Sequence, residues 1–116
     1  MHLATGNNDG YIRIWNVATG TEVQAFLTSA SYGVFGLAWS PDQRFLATIS
    51  GRRVEILNAD TGAYVRKCEI PDKGSVSQVV WNPTGTRLVG IGGIGLTRYV
   101  WLWDAETGDL LNAFSS

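Results

Sequence analysis

Gly90, Gly92 and Gly95 spell the G-x-G-x-x-G spacing that cradles a pyrophosphate, and Asp109 stands about where an acidic residue could follow. That chemistry needs a helix whose N-terminus faces the phosphates. Residues 96–103, LTRYVWLW, are β-branched and aromatic instead, so the glycines read as a flexible four-residue expansion of a turn between two strands. Other reactive side chains are sparse. His2 and Cys68 are the sole residues of their types. Acids stand mostly at turn positions, which leaves no nucleophile, base and orienter in sight and no His/Cys spacing for a metal. A lone His at a chain end reads as inert, and a lone Cys forms no intrachain disulfide. Neither a cofactor nor a metal is expected.

The organising element is YIRIWNVATG, Tyr11 to Gly20, which recurs as YVWLWDAETG, Tyr99 to Gly108, and in a worn form as VEILNADTG, Val54 to Gly62. Each copy is a β-branched and aromatic run suited to a pleated surface, closed by Thr-Gly, where glycine takes the positive φ of a tight turn. Trp39 to Trp81 and Pro41 to Pro83 both span 42 residues, and Gly62 to Gly108 spans 46. A period near 40 to 45 residues with four strands per unit belongs to propeller blades.

These residues carry a resemblance. Trp15-Asn16, Leu57-Asn58 and Trp103-Asp104 sit where the WD-repeat β-propeller family has its Trp-Asp pair, and WSPDQRFLAT, Trp39 to Thr48, resembles that family's turn between first and second strands. The expected fold is all-β: part of a β-propeller, about three four-stranded antiparallel blades. Labelling the strands of a blade a to d from the inside out, 1–32 holds b to d of blade one, 33–74 is blade two and 75–116 blade three. The first blade lacks its inner strand. The eleven strands are expected at His2 to Asn7, Tyr11 to Val17, Glu22 to Leu27, Val34 to Ser40, Phe45 to Ser50, Val54 to Asn58, Tyr64 to Ile70, Val76 to Asn82, Arg87 to Gly92, Arg98 to Trp103 and Asp109 to Phe114. VFGLAW and YVWLW read as strands packed on both faces and YVRKCEI as a rim strand. A β-sandwich or open solenoid is the alternative for short, regularly spaced strands.

The resemblance also implies a hydrogen-bonded set of His, Ser or Thr, Asp and Trp in each repeat. Thr5, Asp9 and Trp15 match three members in blade one. Blade two has Leu57 for Trp and Gly51-Arg52-Arg53 for Asp-Gly, and blade three has no Asp in the turn, so packing is expected to hold the repeats together. Trp15, Trp39, Trp81 and Trp103 fall at repeat-equivalent places and read as core. Trp101, two residues before Trp103, shares its face and fills space left by the loop before it.

The 116 residues are 45% hydrophobic and 16% charged with a net charge of -1, a globular composition without a basic stripe for nucleic acid or a polybasic patch for membrane. No apolar run is long enough to cross a bilayer, and a cytoplasmic setting is the default. The resemblance implies a non-enzymatic protein–protein interaction scaffold. The alternative is part of a propeller enzyme or ligand-binding propeller with its site at the central channel, which would draw on inner strands from all blades. Open blade faces at both ends imply a fragment of a larger propeller, or a chain that closes by self-association. Partner contacts are expected on the rim carrying the b–c turns and d–a loops, at Asn8, Asp9, Tyr32, Arg52, Arg53, Lys73, Ile94, Leu96 and Arg98, with an acidic segment as the docking partner.

Overall fold

The computed structural model describes residues 2–7, 9–27, 36–50, 53–71 and 74–115. Among the described residues eleven strands form three antiparallel sheets, each in chain order. Blade one holds β1 (His2–Gly6), β2 (Tyr11–Asn16) and β3 (Thr21–Leu27). Blade two holds β4 (Leu37–Trp39), β5 (Phe45–Ser50), β6 (Arg53–Asn58) and β7 (Tyr64–Glu69). Blade three holds β8 (Ser75–Trp81), β9 (Arg87–Ile94), β10 (Thr97–Asp104) and β11 (Leu110–Ser115). The inner strand of blade two was expected from Val34; residues 34 and 35 lie outside the described residues, and the strand begins at Leu37.

Turn chemistry explains why strands c and d stay in register. Gly20, Gly62 and Gly108 have φ of 70°, 75° and 81°, and each donates its N–H to a carbonyl four residues earlier, at Asn16, Asn58 and Asp104. Those same residues cap the turn with their side chains. Asn16 Oδ1 accepts from the N–H of Ala18 and Thr19, Asn58 Oδ1 from Asp60 and Thr61, and Asp104 Oδ1 from Glu106 and Thr107. Only an acceptor oxygen is required, which is why Asn and Asp alternate there. One bulge recurs just before each turn, between Ile14/Trp15, Ile56/Leu57 and Leu102/Trp103, raising the local twist at the same height in every blade.

The core lies between blades. Ile12, Ile14 and Phe26 of blade one cluster with Leu46, Leu57 and Ala59 of blade two. The other face of blade two, including Ala47, Ile49, Val54, Ile56 and Cys68, clusters with Val79, Leu88, Trp101 and Trp103 of blade three. Hence β6, covered on both sides, is buried over four successive residues. In β10 burial alternates, correcting the expectation that YVWLW is packed on both faces. Val100 and Phe114, equivalent to Ile12 and Phe26, are 37% and 55% exposed because no described blade covers that face.

Side-chain volume is traded across each interface. The Phe26 ring occupies the space where a Cβ on Gly62 would stand. At the place equivalent to Phe26, blade two has Cys68, and there blade three brings Trp101 and Trp103 into the same cluster. The stack is also bonded near its outer side: Gln24 Nε2 donates to the Asp60 carbonyl, and Arg66 Nη1 to the Ala105 carbonyl at 2.7 Å.

Candidate interaction surface

Trp15 in β2 donates its indole N–H to Thr5 Oγ1 in β1 at 2.9 Å, as the tryptophan and hydroxyl of the expected set require. Asp9 plays a different part. Its Oδ1 accepts from the Tyr11 N–H at 3.0 Å and its Oδ2 from Arg13 Nη2 at 3.0 Å. The Arg13 hydrogen bond, then the Tyr11 N–H, hold the Asp9 carboxyl below its ordinary range. Arg13 also lies 3.4 Å from Glu22 and 5.3 Å from the Tyr11 ring centroid. Thus Asp9 orders the b–c turn of blade one through Arg13.

The tryptophans divide by role. Trp103 is fully buried and donates Nε1 to the Glu69 carbonyl of the neighbouring blade at 3.0 Å. Its ring lies over Gly90, where an added Cβ would stand 2.6 Å away. Gly90 occupies the place of Thr5 in the repeat, so blade three has traded hydroxyl for space and its indole bonds across the interface. Trp15, Trp39 and Trp81 are half-buried, with Trp39 and Trp81 packed against the core clusters between the blades. Trp81 Nε1 donates to the Ala38 carbonyl of blade two at 3.0 Å. Trp101 is fully buried between Tyr99 and Trp103, with ring centroids 5.5 and 6.4 Å away. It is part of the interface with blade two rather than a filler beside a loop.

The glycine-rich segment is strand, not flexible loop. β9 and β10 pair without a break from Arg87↔Asp104 to Ile94↔Thr97, leaving Gly95 and Leu96 as the turn. Gly92 sits where a Cβ would strike the Ser75 carbonyl, so its bareness serves close strand approach. With strand following the glycines where a helix N-terminus would be needed, the pyrophosphate reading has no physical basis.

Of the rim residues, Asn8, Tyr32, Arg52 and Lys73 lie outside the described residues. Arg53 reaches the buried Glu55 carboxylate at 3.3 Å. Ile94 packs against the core between blades two and three, correcting its reading as an exposed side chain. Leu96 is fully exposed at the hairpin tip, and Arg98 beside it is exposed. The residue pattern did not single out a cleft of about 380 Å³ lined by Leu27, Arg53, Glu55, Leu57, Tyr64 and Lys67. The mixed polar and apolar make-up of β7, in which Tyr64 and Lys67 are exposed, was the available signal. Lys67 pairs with Glu69 at 2.8 Å and lowers that carboxyl's pKa.

Among the described residues no group of three or more His, Cys, Asp or Glu side chains gathers to hold a metal, and no helix is long and apolar enough to cross a membrane. Residues 20–56 match the family described as WD domain, G-beta repeat. The B-subunit of eukaryotic translation initiation factor 3 from Culex quinquefasciatus is 28% identical over 85 residues, 72% of this chain and 12% of that protein. Its counterpart in Aedes aegypti is 27% identical over an equal share. The ribosome biogenesis protein BOP1 homolog of Oryza sativa subsp. japonica is 36% identical over 62 residues, 52% of this chain and 9% of that protein. The chain therefore spans about an eighth, or less, of the relatives it matches. With its antiparallel blades, its recurring capped turn and a WD-domain match over residues 20–56, from β3 into β6, the chain is similar to part of a WD-repeat β-propeller.

Proposed function

We propose that this chain is a non-enzymatic scaffold for protein–protein contact, built as blades 1–32, 33–74 and 75–116, and that it binds through the rim carrying its b–c turns. The observation that carries this reading is the β9–β10 hairpin, an unbroken ladder ending in a fully exposed Leu96 with exposed Arg98 beside it. A leucine held in water on a rigid stem gains free energy when a partner covers it, about 1.5 to 3 kcal/mol for full burial. Arg98, Arg53 and the adjacent Arg52 favour an acidic segment carrying one apolar anchor. Similarity to a protein named as one component of a larger factor supports a partner-binding role. A cytoplasmic setting fits the lone thiol, Cys68.

Partner capture from cell extract by the parent protein tests this reading. Leu96→Asp, and separately Arg52→Glu with Arg53→Glu, are expected to reduce capture, while Arg44→Glu on the opposite rim leaves it intact. Equal loss from Arg44→Glu, or loss from that variant alone, overturns the assignment of the rim.

A further inference from the structure

A cleft of about 320 Å³ opens between blades two and three, on the rim that carries the a–b and c–d turns. Its walls belong to two four-stranded sheets, and any further blade would stack on the free face of blade one or three, leaving this rim open. Two bonds between the blades close its ends. On the inner side Trp81 Nε1 donates to the Ala38 carbonyl at 3.0 Å, and on the outer side Arg66 Nη1 donates to the Ala105 carbonyl at 2.7 Å. Between the two a–b turns, a Cβ on Gly85 would stand 3.5 Å from Pro41. The cleft is therefore formed before anything enters it.

Its floor and its mouth differ in chemistry. Ile56 is buried, and the half-buried rings of Phe45 and Trp81 pack against the same core cluster. At the mouth stand two exposed acids, Asp42 of the blade-two a–b turn and Glu106 of the blade-three c–d turn. Asp42 Oδ1 accepts from the Ser40 hydroxyl at 2.6 Å and from the Arg44 N–H at 3.1 Å. Those bonds, Ser40 first, hold the carboxyl below its ordinary range and leave Oδ2 open to a partner. Among the described residues no Lys or Arg forms an ion pair with Asp42 or Glu106, and no carboxylate pairs with Arg66. Arg66 spends one N–H on Ala105, which keeps other donors at the outer wall for a carbonyl.

We propose that this cleft receives a short basic segment of another protein, an apolar side chain flanked by lysine or arginine. The apolar side chain enters beside Phe45 and Trp81, the flanking cations pair with Asp42 and Glu106, and Arg66 donates to a main-chain carbonyl of the segment. Burial of the apolar anchor supplies most of the affinity, and the acids supply selectivity by repelling an acidic competitor. This rim and the opposite one, where Arg53 and Arg98 stand, thus select segments of opposite charge.

The test measures, by fluorescence anisotropy, binding of a labelled synthetic peptide with a lysine-leucine-lysine centre to the parent protein. Replacing the central leucine by glycine keeps the charge and is expected to weaken binding about tenfold or more. Asp42→Asn with Glu106→Gln in the protein is expected to weaken it about tenfold and to flatten its dependence on salt. The peptide arm leaves the protein intact, so it decides the matter even if the double variant fails to fold. A photoactivatable leucine analogue at the peptide centre should crosslink within residues 40–45 or 81–86. Leu96→Asp, on the opposite rim, should leave peptide binding unchanged, so this result and the one that tests the proposed function can fail separately. No binding at millimolar peptide, equal affinity for a glutamate-leucine-glutamate peptide, unchanged affinity in a folded double variant, or crosslinks confined to other residues overturns the proposal.

Discussion

Trp15 gives its indole N–H to Thr5, whereas Thr48, the counterpart of Thr5 in blade two, keeps a buried hydroxyl with no partner because Leu57 stands where the tryptophan would be. The two threonines should therefore respond in opposite directions to loss of the hydroxyl. Thr48→Val removes an unsatisfied buried oxygen and is expected to raise stability by about 1 to 3 kcal/mol, while Thr5→Val strands the indole N–H and costs about 1 kcal/mol. Urea unfolding of both variants checks this; a loss of stability in Thr48→Val contradicts it.

Trp103 fills the space above Gly90 and bonds across to blade two. Trp103→Ala is expected to cost about 3 to 5 kcal/mol, as for other large buried aromatics. A thermal midpoint within error of the unaltered chain would remove Trp103 from the core.

Gln43 has φ of 62° in the turn between β4 and β5, and Gly85 has φ of 75° at the same place in blade three. The left-handed region costs a residue with a Cβ roughly 1 to 2 kcal/mol. Gln43→Gly relieves that cost but frees the unfolded chain, so a net gain of up to about 1 kcal/mol is expected. Gly85→Gln should lose about 1 kcal/mol or more, and denaturant midpoints read both.

Cys68 is fully buried, and desolvation pushes its thiol up to about 11 from an ordinary 9.0. Between those values the unfolded chain releases a proton that the folded chain keeps. Stability is then complete below pH 9 and falls as pH rises toward 11, by about 2 to 3 kcal/mol in all. Cys68→Ala should remove this part of the pH dependence. A thiol reagent at about pH 8 should label Cys68 only as fast as the chain opens.

The strands were legible in the sequence because each is a β-branched or aromatic run ended by a turn whose chemistry is local. The Thr-Gly turns at Gly20, Gly62 and Gly108 need only the residues within them. Burial was less legible, since it depends on which face finds a neighbour. Trp101 and Val100 are adjacent in β10, and one is fully buried while the other is exposed. The glycines of β9 misled for a related reason: glycine marks a turn when its φ demands it and a close approach when a neighbouring strand demands it. For Gly92 the neighbour is Ser75, 17 residues away in sequence. The cleft beside Lys67 likewise arises from side chains meeting across strands and blades, whereas the Arg13 partner of Asp9 is only four residues away.

The exchange of Phe26 for Cys68, answered by Gly62 on one interface and by Trp101 with Trp103 on the other, gives the blades an address. Repeats of nearly one sequence can pair out of order while the chain is still collapsing. Here blade three laid against blade one would drive two indoles toward a phenyl ring, and blade two laid against itself would leave the smaller Cys68 facing the recess at Gly62 that Phe26 fills. Each wrong stacking carries a clash or a void worth several kcal/mol, so the linear order of the blades is written into the volumes they present to one another.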